Sequence, residues 1–352
     1  MFKRVLVPLD GSKRAERALP VAARIARETN GSLVLVRIVS IATELWPYVD
    51  LEAAHTQAVV ETEMLEAANY LQRIAAISEL EGILVNTVVM HGPTASTILR
   101  VALSYKADLI AICSRGYTGM TRWVMGSVAD KISRHAAVPV LVLRDGGPQP
   151  FAPDGDEVHA FRALVALDGS GRAMAAIAPA TSLIAALAAP ERGTLHLASV
   201  IKPVLDGLED GDGEQYPFDL SHSEQGLLES TRYLCTTVER LRKEHLGELV
   251  DITWSAIVDT DVARGIVRMA ERYDSLLQES DQNDEFDFIA ISTHGHGSLQ
   301  SWVTGSVSQR VLNATRLPLL IVRPPDMIRA QDAMMEHMNV TTVAEMQIIH
   351  TH

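Results

Sequence analysis

Arg4-Val-Leu-Val-Pro-Leu-Asp10-Gly-Ser12 returns further along the chain as Arg162-Ala-Leu-Val-Ala-Leu-Asp168-Gly-Ser170, at an offset of 158. A second echo pairs Ile112-Cys-Ser-Arg-Gly116, nine residues, then Gly126-Ser127-Val128 with Ile291-Ser-Thr-His-Gly295, nine residues, then Gly305-Ser306-Val307, at an offset of 179. Val138-Pro139-Val-Leu-Val-Leu-Arg144 matches Leu317-Pro318-Leu-Leu-Ile-Val-Arg323 at that same offset of 179. Order and register are both kept, which is the mark of a tandem duplication. The length of 352 residues agrees, being too long for one ordinary core and right for two units of roughly 150–180 residues. The 21 extra residues of the second copy fall largely in two acidic tracts. One lies between Lys202 and Arg232, with eight acids and no Lys or Arg, and the other runs from Asp274 to Asp287. Both are expected to be solvated loops.

Within the first copy, Val5 to Leu9, Leu33 to Val39, Ile83 to Met90, Leu109 to Cys113 and Val140 to Leu143 are nearly continuous aliphatic runs. Such runs fit parallel strands covered on both faces. Helical patterns lie between them, over Ser12 to Thr29, Glu52 to Glu79, Ala95 to Lys106 and Ser127 to His135. Alternating strands and helices imply an α/β fold, a doubly wound parallel five-stranded sheet in each copy with right-handed crossovers. The expected division is 1–146 for the first domain, 147–159 for a Pro/Gly-rich linker, 160–325 for the second domain and 326–352 for a methionine-rich tail. The tail is read as a docking helix, a chain-joining helix or disorder. Ala173 to Pro190 is uncharged and nearly long enough to span a membrane, but Pro179 interrupts it. A buried helix of a soluble protein is the expectation.

Formal net charge is −13, and no general positive field exists to gather a nucleic-acid backbone. Residues 1–146 carry 16 Lys+Arg against 14 Asp+Glu, so the negative charge belongs to the remainder. Only Cys113 and Cys235 occur, which excludes a disulfide scaffold and fits a reducing cytoplasm. No secretory segment or membrane span is expected, since Met1 to Lys3 lead directly into Val5-Leu-Val7 and then Asp10.

In a doubly wound sheet, ligands bind beyond the carboxyl ends of the strands near the topological switch point. Asp10 and Asp168 end the first strand of each copy, and the glycine loops follow the fourth strand and lead into helices headed by Gly126-Ser127 and Gly305-Ser306. Glycine admits close backbone approach, and a helix start offers unpaired N–H groups to an oxyanion. Phosphate is the natural guest. Asp10-Gly11-Ser12 can equally be a turn and helix cap. Cys113 is read as a small residue at a strand end and Cys235 as core, and His294 and His296 as loop histidines, not a metal site.

The arrangement of a small residue, two others, Gly, nine residues and Gly-Ser, with Val-Pro-Leu-Asp far upstream, resembles the universal stress protein family over residues 1–146 and 160–324. That resemblance implies ATP binding, with magnesium or manganese on the phosphates. By it, Asp10 and Asp168 face the nucleoside, and Ile38 and Val200 line the adenine pocket. Arg115, Gly116, Gly119, Gly126, Ser127 and Val128 would hold phosphate in the first copy, and Gly295, Gly305, Ser306 and Val307 in the second. Cys113 and Ser292 stand where the family's ATP-binding branch has its first motif glycine. The first copy, with Arg115, Arg122 and Lys131, is expected to be the better site, because no Lys or Arg lies between Arg272 and Arg310 in the second.

No Gly-x-x-x-x-Gly-Lys-[Ser/Thr] loop, His-x-Gly-His or Gly-x-Ser-x-Gly elbow occurs. No residue stands out as a general base, so ATP hydrolysis is expected to be slow at most. The expected function is an adenine-nucleotide-dependent stress-response or signalling protein acting on an unidentified protein partner. A nucleotide-free interaction module and a weak ATPase are the alternatives. Family resemblance also implies an internal pseudo-dimer through Val140 to Leu143 and Leu319 to Val322, with two such chains forming a homo-oligomer.

Overall fold

The computed structural model describes residues 2–40, 53–114, 125–144, 161–189, 191–203, 220–244, 246–271, 286–293 and 306–329. The chain divides into two compact units, Val158–Leu320 and the remainder. In the first unit β1 (Arg4–Pro8), β2 (Ser32–Val39), β3 (Leu84–His91), β4 (Leu109–Cys113) and β5 (Val140–Leu143) stand in the order β3-β2-β1-β4-β5. All the neighbouring pairs are parallel. The chain runs outward from β1 through β2 to β3, then returns to the other side of β1 for β4 and β5. The switch point therefore lies between β1 and β4.

The second unit repeats this with β6 (Arg162–Ala166), β7 (Thr194–Ile201), β8 (Asp251–Val258) and β9 (Phe288–Ser292) in the order β8-β7-β6-β9, and β10 (Leu319–Val322) lies next to β9. Inner strands are mostly buried, and β4 and β9 are buried at every residue. At the outer positions, β3 and β8 are only partly covered. Among the described residues no helix is long and apolar enough to cross a membrane.

The single helix expected over Ser12 to Thr29 is two pieces, α1 (Lys13–Glu16) and α2 (Ala18–Thr29). Pro20 explains the break, because its ring collides with the carbonyl four residues earlier, that of Glu16. Pro179 acts alike in the second unit, where a 3₁₀ turn over Ala173–Ala176 precedes α6 (Ile177–Ala188). The other first-unit helices are α3 (Ala53–Ala75), α4 (Thr94–Ser104) and α5 (Ser127–His135). The second unit continues with α7 (Leu220–Lys243), α8 (Val262–Glu271) and α9 (Ser306–Ala314).

Two expectations for the acidic tracts are corrected. Residues 220–232 belong to α7 rather than a loop. Their acids Glu224 and Glu229 face water, while Leu234, Val238 and Leu241 further along bury an apolar stripe that makes the helix worth forming. Cys235 is half-buried beside that stripe. Asp287, at the end of the second tract, is buried, and its carboxylate accepts the backbone N–H of Arg162 at 2.7 Å. Its own N–H donates to the Arg162 carbonyl at 2.8 Å. Asp108 does the same work in the first unit, accepting N–H groups from Lys3 and Arg4 at 2.7 and 3.0 Å. Each aspartate thereby pins the start of the first strand to the start of the fourth. The remainder of the second tract lies outside the described residues, as do the linker and residues 330–352.

His196, in β7, is 3% exposed, with Nδ1 2.8 Å from the Thr253 hydroxyl and Nε2 2.8 Å from the Ser255 hydroxyl. Burial, aided by the nearby Arg162 charge, pushes its pKa down to about 4. An unfolded histidine titrates near 6.5, so the unfolded chain takes up the proton first as pH falls. Stability of the second unit should therefore decline from about pH 6.5 and level off below about pH 4, losing roughly 3 kcal/mol over that window. Denaturant melts across this range, compared with those of His196→Gln, will check it. The variant should lack that part of the slope, and an identical slope would contradict the assignment.

Candidate functional site

The switch point of the first unit holds a cavity of about 260 Å³, just below the usual span of about 300–1,000 Å³ for small-molecule sites. Six segments converge on it: the β1 end, α1 through Ala15, the β2 end, the first turn of α4, the β4 end and the start of α5. Of the residues marked from sequence, Asp10, Ile38, Cys113, Gly126, Ser127 and Val128 all line this one cavity. Arg115, Gly116 and Gly119 lie outside the described residues, as does Arg122.

Asp10 is both cap partner and cavity wall. Its Oδ1 accepts the backbone N–H of Ser12 at 2.9 Å and the Ser12 hydroxyl at 2.6 Å. The Ser12 oxygen in turn accepts the Ala15 N–H at 3.2 Å, capping α1. Gly11, at φ +89°, makes the intervening turn, a conformation costly for any residue with a Cβ. The second unit repeats the device closely. Ser170 donates to Asp168 through N–H at 3.0 Å and through its hydroxyl at 2.6 Å, with Gly169 at φ +83°. The turn-and-cap reading is thus realised in both units, and it leaves Asp10 exposed at the cavity.

The opposite wall is the start of α5. Gly126 caps the helix without a side-chain hydrogen bond, and its N–H is tied to the Ser114 carbonyl at 2.7 Å. The next N–H groups, of Ser127, Val128 and Ala129, open the helix and have no partner within it. They stand at the positive end of the helix dipole and border the cavity. Cys113, buried, turns its Sγ toward the Ala15 carbonyl at 3.9 Å. Apolar walls come from Val36, Ile38, Ile98 and Ile112. Thr94 and Ile98 were not marked from sequence, because they arrive on α4, whose start carries no motif beyond Gly92-Pro93.

In the second unit, Asp168 follows β6, Val200 lies near the end of β7, Ser292 ends β9, and Ser306 and Val307 open α9. Gly295 and Gly305 are outside the described residues, as are His294 and His296. The β8 end carries two aspartates where the β3 end has Gly92-Pro93. Asp259, 5% exposed, pairs with Arg264 at 3.3 Å and Arg268 at 3.0 Å. The N–H of Asp261 and then the two guanidiniums hold the Asp259 carboxyl below its ordinary pKa. Asp261 is likewise lowered, first by the Arg264 N–H and then by Arg310, with which it forms an ion pair. Arg310 occupies the α9 position that Lys131 has in α5. Lys131 makes no ion pair among the described residues.

A family model described as the universal stress protein family matches residues 1–144 and 160–323. A universal stress protein of Methanocaldococcus jannaschii is 30% identical over 146 residues, covering 41% of this chain and 83% of that relative. One from Mycolicibacterium smegmatis is 24% identical over 324 residues, covering 91% of this chain and 97% of the relative. Among solved structures, a universal stress protein from Archaeoglobus fulgidus superposes with a TM-score of 0.59 at 18% identity, covering 92% of this chain and 97% of that one. At that identity the likeness establishes the fold.

Proposed function

Because the chain belongs to the universal stress protein family in both of its halves, we propose that it is an ATP-binding regulatory protein of the stress response whose working nucleotide site is the switch-point cavity of the first unit. The observation that carries this reading is the meeting of Asp10, Ile38 and the open amino end of α5 around one cavity. The adenine lies between Val36, Ile38 and Ile98, with Asp10 accepting from its amino group. The phosphates lie on the N–H groups of Ser127 to Ala129. Magnesium or manganese would accompany the phosphates. Among the described residues no three His, Cys, Asp or Glu side chains are grouped to hold a metal, and the ion would supply charge neutralisation to the polyphosphate.

The second unit is the weaker site. Its basic residue beside the helix start, Arg310, is already paired with Asp261, and Arg264 and Arg268 are paired with Asp259. A phosphate there must first compete with these carboxylates, whereas Lys131 faces no such competition. Among the described residues no side chain is placed as a general base against a phosphate-bound water, and the proposed mode of action is occupancy by the nucleotide. Ligand can shift a conformation or an interaction only through different affinity for two states.

Purified protein incubated with magnesium and ATP, then desalted and assayed for bound nucleotide, tests this. About one intact ATP per chain is the expected result. Loss of all nucleotide would favour an interaction module without a ligand, and steady phosphate release would favour an ATPase.

A further inference from the structure

On the far side of the Asp10-Gly11 turn, between β2 and α3, lies a second cleft of about 470 Å³. Its floor is Arg37, a charged residue set between Val36 and Ile38 in an inner strand. The Arg37 guanidinium lies over the Tyr70 ring, 5.0 Å from its centroid. It is also close enough to Gly11 that a Cβ there would be 3.3 Å from a guanidinium nitrogen. The Tyr70 hydroxyl donates to Glu16 at 3.2 Å, and burial followed by Glu16 raises its pKa, so the ring is a neutral platform. Glu66, Asn69, Tyr70 and Arg73 recur at the spacing of one helix face and bring a second guanidinium to the cleft.

Neither Arg37 nor Arg73 has a hydrogen bond or ion pair to another residue among those described. A stacked guanidinium with its edge left open is suited to two parallel hydrogen bonds to an oxyanion. Asp10 and Glu66 share the lining, so the formal charge of the cleft is balanced. These carboxylates weaken the hold of the two guanidiniums on a bare dianion. A ligand with an anionic end and hydroxyl groups would use both signs, and a cleft of this volume has room for more than an ion.

The second unit supplies the control. Pairing of β1 with β2 and of β6 with β7 puts Ser199 where Arg37 stands. Tyr233-Leu234 in α7 repeats Tyr70-Leu71 in α3, which places Thr236 at the position of Arg73. Tyr233 still feels the charge of Asp168, as Tyr70 feels that of Asp10. The frame thus persists without the two arginines, and they are not required to build it.

We propose that this cleft is a second ligand site, taking a small phosphorylated polyhydroxy compound whose phosphate is held by Arg37 and Arg73 and whose hydroxyls donate to Glu66 and Asn69. It does not depend on ATP occupying the neighbouring cavity. The test uses the full chain carrying Ser127→Asp, which sets a carboxylate at the phosphate end of that cavity, titrated calorimetrically with inorganic phosphate and with glucose 6-phosphate. Glucose 6-phosphate should bind about fivefold or more tightly than phosphate, and adding Arg37→Ala or Arg73→Ala should weaken both by about tenfold. Glu66→Gln should narrow the gap between the two ligands. Arg73 is exposed on its helix, so its variant is read without concern for folding even if Arg37→Ala unfolds. Absence of binding, binding indifferent to Arg73→Ala, or no gain of the sugar phosphate over phosphate would each overturn the proposal.

Discussion

Ser127→Asp is expected to weaken ATP binding by about 30- to 100-fold, the size of effect seen when a carboxylate faces a charged partner at close range, while the first unit melts no lower than before. The two halves of this expectation have opposite signs for one reason. Ser127 is the first residue of α5, and Gly126 before it offers no side-chain cap. A carboxylate at this position complements the helix dipole and contributes about 0.3–1 kcal/mol of stability. The same carboxylate occupies the N–H groups that border the cavity and repels the phosphates that would use them. Ser306→Asp at the start of α9 should alter total ATP affinity by less than about threefold, because the second unit contributes little to it. Calorimetric titration of both variants, with melting curves alongside, checks the pair. Equal losses from the two would remove the ranking of the sites.

Gly193→Ala should destabilise the second unit by about 3 kcal/mol or more, lowering its calorimetric transition by about 6–12 °C. Gly193 stands just before β7, and a Cβ built there would lie 2.5 Å from the Phe161 carbonyl oxygen and 2.3 Å from Cγ2 of Ile184. Phe161 cannot yield easily, since that oxygen accepts the Thr194 N–H at 2.7 Å in the approach of β7 to β6. The Gly193 carbonyl is also engaged, accepting the Asp251 N–H at 2.9 Å where β8 begins. One methyl group would therefore disturb the start of three strands. Gly171→Ala is the control, as nothing lies within 4 Å of its Cβ position, and its transition should move by less than about 1–2 °C.

The strands were legible because burial on both faces favours apolar residues at consecutive positions, and β4 and β9, buried at every residue, are apolar up to the Cys113 and Ser292 that end them. The tandem layout was legible for the same reason twice over. What escaped the sequence is of another kind. Thr94 and Ile98 reach the cavity, and Arg37 meets Tyr70, only because strand register and helix packing bring together residues that are distant along the chain. No local pattern marks them.

Asp287 is a different lesson. Within an acidic tract a carboxylate looks solvated, yet it stands directly before β9 as Asp108 stands before β4, and both hold the backbone of the first strand. The repeat at an offset of 179 contained that equivalence. Charge counting hid it, because charge density measures the neighbourhood and not the one residue whose hydrogen bonds are made inside. His196 belongs with it as a polar side chain whose partners, Thr253 and Ser255, come from the adjacent strand.

Amide chemical shifts recorded while ATP is titrated into the full chain test the central claim most directly. Occupancy of the first unit alone predicts that Asp10, Ile38, Ser114 and Ser127 shift from the first additions and saturate near one equivalent. Asp168, Val200, Ser292 and Val307 should hold their positions until ATP is in large excess. Parallel shifts in both sets, or no shift in the first, would contradict the account.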